Sequence, residues 1–368
     1  METLKTIPVA MPQIGDEEKS AVLDVLGSGQ LAQGPVVEAF EHEFAAWCGA
    51  AHAVAVNSGT AALHLVMLAY GLKEGDELIT SPFTFIASAN AALFAGARPV
   101  FVDIEADTYC MDPAKVESAI TERTRAIMPV DLYGHPAAIP EMKEMADAHG
   151  LVLIEDACQA HGGAIGARKA GGMGVSATFS FYPTKNITTA EGGMVTTDDA
   201  EVAERVGLLR QHGAARRYHH DLLGYNFRMT DIAAAIGRAQ LAKVDRLNER
   251  RRRNASVLDE GLAGIKVVST PRERPGYRHA YHQYTVLIHG DRDRFQQLLR
   301  ELGIGTAVHY PVPVHRQPLY LSLGYGEVSM PVAEDAADHV LSLPVHPGLS
   351  DEDLDRIIDA VRKVAAST

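Results

Sequence analysis

The sequence has few of the residues that mark secreted, disulfide-rich or membrane proteins. Only 3 of its 368 residues are cysteine, too few and too irregularly spaced for a disulfide framework or a zinc ribbon. It has no run of 18 apolar residues, and its N-terminal segment lacks the basic and apolar regions of a signal peptide. We therefore expect a cytoplasmic protein without a membrane segment.

Basic residues are also in deficit, because 34 Lys and Arg stand against 47 Asp and Glu, for a net charge of −13. This balance argues against a nucleic-acid-binding protein, which would need a basic surface. The one dense basic run, residues 250–253, lies in a helical pattern and predicts a solvated helix face. Hydrophobic residues make up 46% of the chain, which is typical of a globular protein, and its length predicts two domains.

Apolar runs of strand length alternate with helical patterns through the first half of the chain. This alternation predicts an α/β domain with a mostly parallel sheet, and apolar strands predict helices on both sheet faces. The predicted strands are residues 52–56, 77–80, 99–102, 126–130, 151–154 and 193–197, and the predicted helices are residues 60–70, 86–95, 113–120, 139–149 and 201–211.

A long helical stretch is predicted from about residue 230 to residue 262, and we place a domain boundary inside it, near Asn248. The division gives a large α/β domain, residues 1–247, and a small α+β domain, residues 248–368. The small domain is predicted to contain strands near residues 283–288 and 305–309 and helices over residues 292–302 and 351–366.

The first chemical motif is NSGTAAL, residues 57–63, where a predicted strand passes through a small polar turn into a helix. The free N–H groups of a helix N-terminus, together with the hydroxyls of Ser58 and Thr60, can bind an anion. The alternative is a plain helix N-cap by one of these two hydroxyls.

The second motif is EDACQAHG, residues 155–162, directly after a strand predicted to be buried. Ligands of open α/β sheets bind outside the carboxyl ends of the strands, and a carboxylate there needs a cation or a proton donor. The alternative is an acidic residue in a surface turn.

The third motif is TFSFYPTKN, residues 178–186, which places Lys185 in an apolar segment near glycines. A buried lysine is unusual, has a lowered pKa and can act as an amine nucleophile that forms a Schiff base. The alternative is a surface lysine whose stem packs against apolar neighbours.

Together the motifs supply an anion site, an acid at a strand end and a reactive lysine, which are the groups that pyridoxal phosphate requires. Phe83 and Phe85 follow another strand end, and Phe83 is predicted to lie in the core. No metal site is predicted, because the adjacent His219 and His220 lack ligand spacing. Residues 27–32 imitate a dinucleotide-binding loop but follow a helical pattern rather than a strand.

At these motifs the chain resembles the DegT/StrS-type sugar aminotransferases, a branch of the fold-type I pyridoxal-phosphate enzymes. The resemblance covers essentially the whole chain, in the family's order. It implies a mixed, mostly parallel sheet covered by helices, with a smaller C-terminal α+β domain. The matching segments are NSGTAAL, SPFTFIASANAALFAGARPVFVDI, IEDACQAHG, FSFYPTKNITTAEGGMV, GYNFRMTDIAAAIG and HYPVPVHRQPLY.

The resemblance also implies the roles of individual residues. Lys185 would bind the cofactor covalently, Asp156 would pair with its pyridine nitrogen, Gln159 would lie near its ring hydroxyl, and Phe85 would stack on the ring. A homodimer with shared active sites is implied, because one phosphate contact would come from the other subunit. The implied phosphate contacts are Gly59, Thr60, Ala61, Ser180 and the other subunit's Asn226.

The implied reaction moves an amino group, usually from glutamate, to a nucleotide-linked keto-sugar by a ping-pong Schiff-base mechanism, with pyridoxamine phosphate as the second cofactor form. Alternatives are a transaminase of a keto-cyclitol or another ketone, and a non-transaminating relative, which would lack Lys185 or Asp156. Arg216, Arg217 and Arg228 are available to bind a diphosphate. The candidate substrate contacts are Tyr182, Arg228, Tyr310 and His315.

Overall fold

Strands and helices alternate through the first two hundred residues of the computed structural model, which describes residues 6–367. The short strands after β5 belong to small separate sheets, except for β8 and β9. The described strands are β1 (His52–Val56), β2 (Glu77–Thr80), β3 (Arg98–Phe101), β4 (Thr124–Met128), β5 (Val152–Asp156), β6 (Ala164–Ile165), β7 (Arg168–Lys169), β8 (Ser176–Ser180), β9 (Gly193–Thr197), β10 (Ala214–Arg216), β11 (His219–His220), β12 (Val268–Ser269), β13 (Tyr277–Arg278), β14 (Tyr284–Ile288) and β15 (Val340–Leu343).

The central sheet has seven strands in the order β1-β9-β8-β5-β4-β2-β3. Strand β9 is antiparallel to both of its neighbours, and all other pairs are parallel. Residues 181–192 connect β8 to β9 without a helix, and β9 returns beside β8 as its antiparallel neighbour. The predicted α/β class with a mostly parallel sheet is confirmed.

Helices cover both faces of this sheet, so alternate residues of one strand enter different cores. Ile127 of β4 packs in one core and Met128 in the other. The described α-helices are α1 (Asp16–Ser28), α2 (Pro35–Cys48), α3 (Gly59–Ala69), α4 (Ala87–Phe94), α5 (Pro113–Val116), α6 (Ile139–His149), α7 (Ala200–Leu209), α8 (Asp231–Leu241), α9 (Val244–Leu262), α10 (Arg292–Glu301), α11 (Pro318–Ser322), α12 (Pro331–His339) and α13 (Asp351–Ala365), with 3₁₀ turns at Glu117–Ala119, Leu132–Gly134 and Val314–Arg316.

The C-terminal part is built on the antiparallel sheet β12-β14-β15, against which α9, α10 and α13 pack. Its core includes Tyr284, Phe295, Leu341 and Ile357. The helical stretch predicted over residues 230–262 consists of two helices, because α8 ends before Ala242 and α9 begins after Lys243.

Lys243 has non-helical backbone angles, and its ammonium lies 2.5 Å from the Glu18 carboxylate. Because Glu18 belongs to α1, this ion pair connects α1 to the break between α8 and α9. The domain boundary proposed near Asn248 falls inside α9 and stays a prediction.

Two further expectations need correction. The strand predicted over residues 305–309 is reduced to one bridge between Ala307 and Ser342, because Gly305 instead donates its N–H to Ile7. The solvated helix face predicted for residues 250–253 describes Arg250 and Arg253, but Arg251 is buried. None of the helices described between residues 6 and 367 has the length and apolar character needed to cross a membrane.

Candidate active site

A cavity of about 540 Å³ lies at the carboxyl ends of β1, β2, β5 and β8. Parallel strands place their carboxyl ends at one edge of the sheet, where ligands of such folds bind. Residues from the C-terminal part close the cavity on the other side. Its lining residues are Ser58, Gly59, Thr60, Leu63, Thr84, Phe85, Ala87, Ser88, Asp156, Cys158, Gln159, Ser180, Tyr182, Thr184, Lys185, Glu191, His282, Gln283, His309 and Tyr310.

Lys185 lies in the turn after β8, where its N–H donates to the Tyr182 carbonyl at 2.9 Å. The next residue, Asn186, is fixed by hydrogen bonds from its Nδ2 to Asn248 Oδ1 at 2.8 Å and to the Ala280 carbonyl at 2.9 Å. Burial lowers the pKa of Lys185. A lowered pKa increases the share of the neutral amine, which is the nucleophilic form.

Asp156 ends β5 and is 2% exposed. Its Oδ2 accepts a hydrogen bond from Ser88 Oγ at 2.7 Å, and its Oδ1 accepts the Cys158 N–H at 3.2 Å. Ser88 Oγ in turn lies 3.0 Å from Oγ1 of Thr84, which precedes α4 by three residues. The carboxylate is therefore held in place and lines the cavity, where it can pair with a cationic ring nitrogen.

Gln159 is fixed between two tyrosines. Its Oε1 accepts the Tyr133 N–H at 2.9 Å, and its Nε2 donates to Tyr310 Oη at 3.2 Å. Phe85 is 56% exposed, and its ring centroid lies 6.2 Å from that of Tyr310. An exposed aromatic ring at a cavity wall is available to stack on a planar ligand, as predicted for Phe85.

The opposite end of the cavity is formed by the N-terminus of α3. Ser58 caps this helix by accepting the Ala61 N–H at 3.1 Å. Gly59 approaches β8 so closely that an added Cβ would lie 2.6 Å from Ser180 Cβ. Because the first N–H groups of a helix have no acceptor within it, this end suits a phosphate group.

The cavity brings together most of the predicted site residues, but four lie elsewhere in this chain. Ala61 is buried within α3, and Asn226 and Arg228 lie on an exposed loop, where Arg228 Nε donates to Asn226 Oδ1 at 3.2 Å. His315 is fully buried, and its Nε2 lies 2.9 Å from the Glu334 carboxylate. Of the predicted substrate contacts, Tyr182 and Tyr310 line the cavity, whereas Arg228 and His315 do not.

Several lining residues were not identified from the sequence. Ser88 has one weak signal, its i, i+4 spacing from Thr84. Gln283 comes from the C-terminal part, about a hundred residues after Lys185, so no local pattern connects it to the site. His282 was expected on the surface or the substrate side, and His309 begins the matching segment HYPVPVHRQPLY; both line the cavity. Residues 6–367 hold no group of three His, Cys, Asp or Glu side chains arranged to bind a metal ion.

The residues present fit pyridoxal phosphate. The close packing of Gly59 on Ser180 shapes an anion cradle, Asp156 is aligned for a ring nitrogen, and the Lys185 amine shares the same cavity. When bound, the cofactor supplies an electron-withdrawing ring and a carbonyl carbon that amines can attack. Fold and site thus define a pyridoxal-phosphate-dependent enzyme.

Comparison with known proteins gives the family. The DegT/DnrJ/EryC1/StrS aminotransferase family matches residues 12–362. A Streptomyces venezuelae protein described as dTDP-3-amino-3,4,6-trideoxy-alpha-D-glucose transaminase is 43% identical over 360 residues, covering 98% of this chain and 95% of that protein. A Geobacillus stearothermophilus protein described as a pleiotropic regulatory protein is 41% identical over 354 residues, covering 95% and 94% of the two chains.

A solved structure agrees with these relatives. The structure of S. venezuelae DesV in complex with a ketimine intermediate has a TM-score of 0.93 at 44% identity, covering 95% of this chain and 94% of DesV. The chain belongs to the DegT/DnrJ/EryC1/StrS aminotransferase family. It is a pyridoxal-phosphate-dependent aminotransferase.

Proposed function

We propose that this aminotransferase transfers an amino group from an amino acid, most simply glutamate, to a nucleotide-linked keto-sugar. The observation that carries the proposal is the Lys185 amine with its lowered pKa, in one cavity with Asp156 and the α3 N-terminus. The similarity to a dTDP-amino-sugar transaminase over nearly the full length of both chains supports the sugar substrate.

In this proposal Lys185 Nζ takes the proton from the donor's α-carbon and later returns a proton to the carbon that receives the amine. Asp156 acts electrostatically, because its ionised carboxylate stabilises a protonated ring nitrogen. Ser88 Oγ and the Cys158 N–H keep that carboxylate aligned. We propose the same contacts to the cofactor's phosphate, ring and ring hydroxyl that the family resemblance implies. Gln159, the contact proposed for the hydroxyl, is held by its hydrogen bond to Tyr310.

A homodimer with shared sites is part of the proposal. Among the described lining residues, Lys185 is the one lysine or arginine, whereas a nucleotide-linked sugar carries a diphosphate that needs cations. Arg216, Arg217 and Arg228 are exposed and lie outside the cavity of their own chain. We infer that a partner subunit brings this loop, with Asn226, to the phosphate groups.

Two alternatives give different outcomes. A keto-cyclitol or another ketone as acceptor would leave the donor half of the reaction unchanged and would be found by screening acceptors. A regulator that does not transaminate is disfavoured by the presence of Lys185 and Asp156, even though one relative is described as a regulatory protein. We also expect a cytoplasmic location, where nucleotide-sugars are made.

The decisive experiment is the visible spectrum of the cofactor-loaded protein before and after glutamate, with borohydride trapping and peptide mapping. We expect the spectrum to change with glutamate, the trapped peptide to contain Lys185, and Lys185→Ala to lose turnover. Lys143→Ala, an exposed lysine paired with Asp147, is the matched control and should keep turnover. A label on another lysine, or turnover by Lys185→Ala without added amine, would contradict the proposal.

A further inference from the structure

One wall of the cavity is formed by His282, whose imidazole has no partner. The side chain is 6% exposed and lies beside Lys185, and neither ring nitrogen hydrogen-bonds to any residue in the described range 6–367. Burial lowers the pKa of His282 well below its usual value, and the charges of Lys185 and Arg251 lower it further. His282 is therefore neutral and keeps one ring N–H to donate.

The backbone that presents His282 is held in an unusual conformation. Tyr281 has a φ of 44°, in the left-handed region that residues with a Cβ seldom occupy. Its N–H donates to His279 Nδ1 at 2.9 Å. On the far side, the Arg251 guanidinium donates to the carbonyls of Tyr281 at 3.2 Å and His282 at 3.3 Å.

The same turn packs directly on the loop that follows β4. A Cβ on Gly134 would lie 2.9 Å from the backbone nitrogen of His282, so the close approach requires glycine at residue 134. The Ala280 N–H donates to the Gly134 carbonyl at 2.8 Å, and the Gln283 N–H donates to the Tyr133 carbonyl at 3.2 Å. The turn is therefore clamped between this loop and Arg251.

Arg251 itself is buried without a carboxylate partner among the described residues. It is 4% exposed, and no carboxylate in residues 6–367 forms an ion pair with it. Burial lowers its pKa to about 10, so the guanidinium remains charged at neutral pH. An arginine is seldom buried without a charged partner, and here its hydrogen bonds are those that fix the turn carrying His282.

The chemistry of the substrates indicates what His282 binds. An amino-acid donor has an α-carboxylate on the reacting carbon, which must lie next to Lys185. The lining includes no arginine among the described residues of this chain, and the arginines proposed to come from the partner subunit are assigned to phosphate groups. The α-carboxylate beside Lys185 is therefore left to neutral N–H donors of this wall. His309, whose pKa burial lowers to about 4, is the other imidazole on this wall, and its Nδ1 already contacts Ser342 Oγ at 3.0 Å.

We propose that His282 binds the α-carboxylate of the amino donor through its ring N–H, and that Arg251 is the positioning residue that holds His282 at this place. The inference rests on the proposed aminotransfer, since it concerns the donor of that reaction. The acceptor keto-sugar has no carboxylate on its reacting carbon, so its binding should depend less on the ring N–H of His282.

The test separates the two halves of the reaction. Single-turnover spectra at increasing glutamate concentrations give the affinity for the donor, and the same measurement with a keto-sugar gives the affinity for the acceptor. His282→Ala should weaken glutamate binding by about tenfold to a hundredfold, as expected for a lost hydrogen bond to a charged group. His282→Gln, whose amide keeps an N–H donor, should recover part of this loss.

A second measurement does not depend on turnover. Calorimetric titration with glutarate, which has both carboxylates but no amine, should show the same weakening in His282→Ala. Both carbonyls accept from one nitrogen, Arg251 Nη1. Arg251→Lys keeps the charge, but its side chain is one bond shorter and cannot reach both carbonyls from the same backbone position, so it should weaken glutarate binding by about fivefold or more. The matched control is Arg253→Lys, two residues away on an exposed side chain paired with Asp351, which should bind like the wild type.

Unchanged glutarate and glutamate binding in a folded His282→Ala protein, or equal losses for donor and acceptor, would overturn the role of His282. Unchanged binding in Arg251→Lys would overturn its positioning role. Thermal melts establish that each variant is folded, and His282→Gln still tests the first role if Arg251→Lys does not fold. If the wild type gives no spectral change with glutamate, the proposed function itself has failed, and glutarate titration reports separately on the site.

Discussion

Gly59→Ala tests the assignment of the α3 N-terminus as the phosphate cradle. The added Cβ would lie 2.6 Å from Ser180 Cβ and 3.2 Å from Ser180 Cα. Both atoms belong to the end of β8, which cannot rotate away as a long side chain can. To reach an ordinary contact of 3.4 Å, the start of α3 must move by about 0.8 Å.

The magnitude follows from this displacement. Overpacking of this kind destabilises a protein by about 1–3 kcal/mol. The displaced N–H groups also lose alignment with the phosphate, and one hydrogen bond to a charged group contributes about 1.5–3 kcal/mol. We therefore expect cofactor affinity to fall at least tenfold. At a cofactor concentration of about 100 times the wild-type Kd, the stabilisation by the ligand should fall from about 2.7 to about 1.4 kcal/mol.

The assay is denaturant unfolding with and without pyridoxal phosphate, together with a direct titration of the apoprotein. The control is Gly207→Ala, where an added Cβ meets nothing within 4 Å inside α7. That variant should keep cofactor affinity and gain up to about 1 kcal/mol, because alanine is the better helix former. Wild-type affinity in a Gly59→Ala protein with unchanged stability would refute the cradle.

Three further outcomes are expected. Ser88→Ala removes a hydrogen bond to Asp156 and should lower kcat about tenfold in steady-state assays while the protein still binds cofactor. An unchanged kcat would argue against a role of Ser88 in aligning the Asp156 carboxylate. Glu155 and Asp131 are buried and interact electrostatically, and burial raises the pKa of both. The folded state therefore binds a proton more tightly, and stability falls as pH rises above the usual carboxyl range. Glu155→Gln should flatten that decline in urea unfolding between about pH 5 and 8, and an equally steep decline would contradict it. Asp231 accepts hydrogen bonds from three N–H groups at the start of α2. Asp231→Ala should therefore lower the free energy of unfolding by about 2 kcal/mol or more in denaturant titrations, and Asp231→Asn clearly less. Equal losses would exclude these hydrogen bonds as the cause.

The central sheet could be predicted from the sequence because its signals are local. Apolar strands alternate with helical patterns, and the strand-end rule then places Asp156 at the carboxyl edge of the sheet before any contact is known. Lys185 was identified by a different signal, a lysine within an apolar segment. The structure brings both into one cavity. Strand β8 was harder to predict, because its apolar residues stand within a glycine-rich stretch that hides the strand's limits.

Contacts between distant segments could not be predicted in the same way. Ser88 aligns Asp156 across 68 residues, and Arg251 meets the carbonyl of His282 across 31. The basic run at residues 250–253 lies next to a glutamate and so has the pattern of a solvated helix face. Its buried member, Arg251, is covered by the packing of the C-terminal part, which the local pattern does not reveal. Likewise, the role of Asn226 stays a prediction, because it requires a second chain.

Helix α9 contacts both the neighbour of the reactive lysine and the turn that carries His282. Asn248 accepts a hydrogen bond from Asn186, the neighbour of Lys185, and donates to the His161 carbonyl at 2.7 Å. Arg251, three residues later on the same helix face, holds the His282 turn. One rigid helix therefore sets the separation between the amine that reacts and the imidazole proposed to bind the donor. The buried guanidinium of Arg251 therefore has a specific structural role, because its hydrogen bonds join α9 to the turn that carries His282.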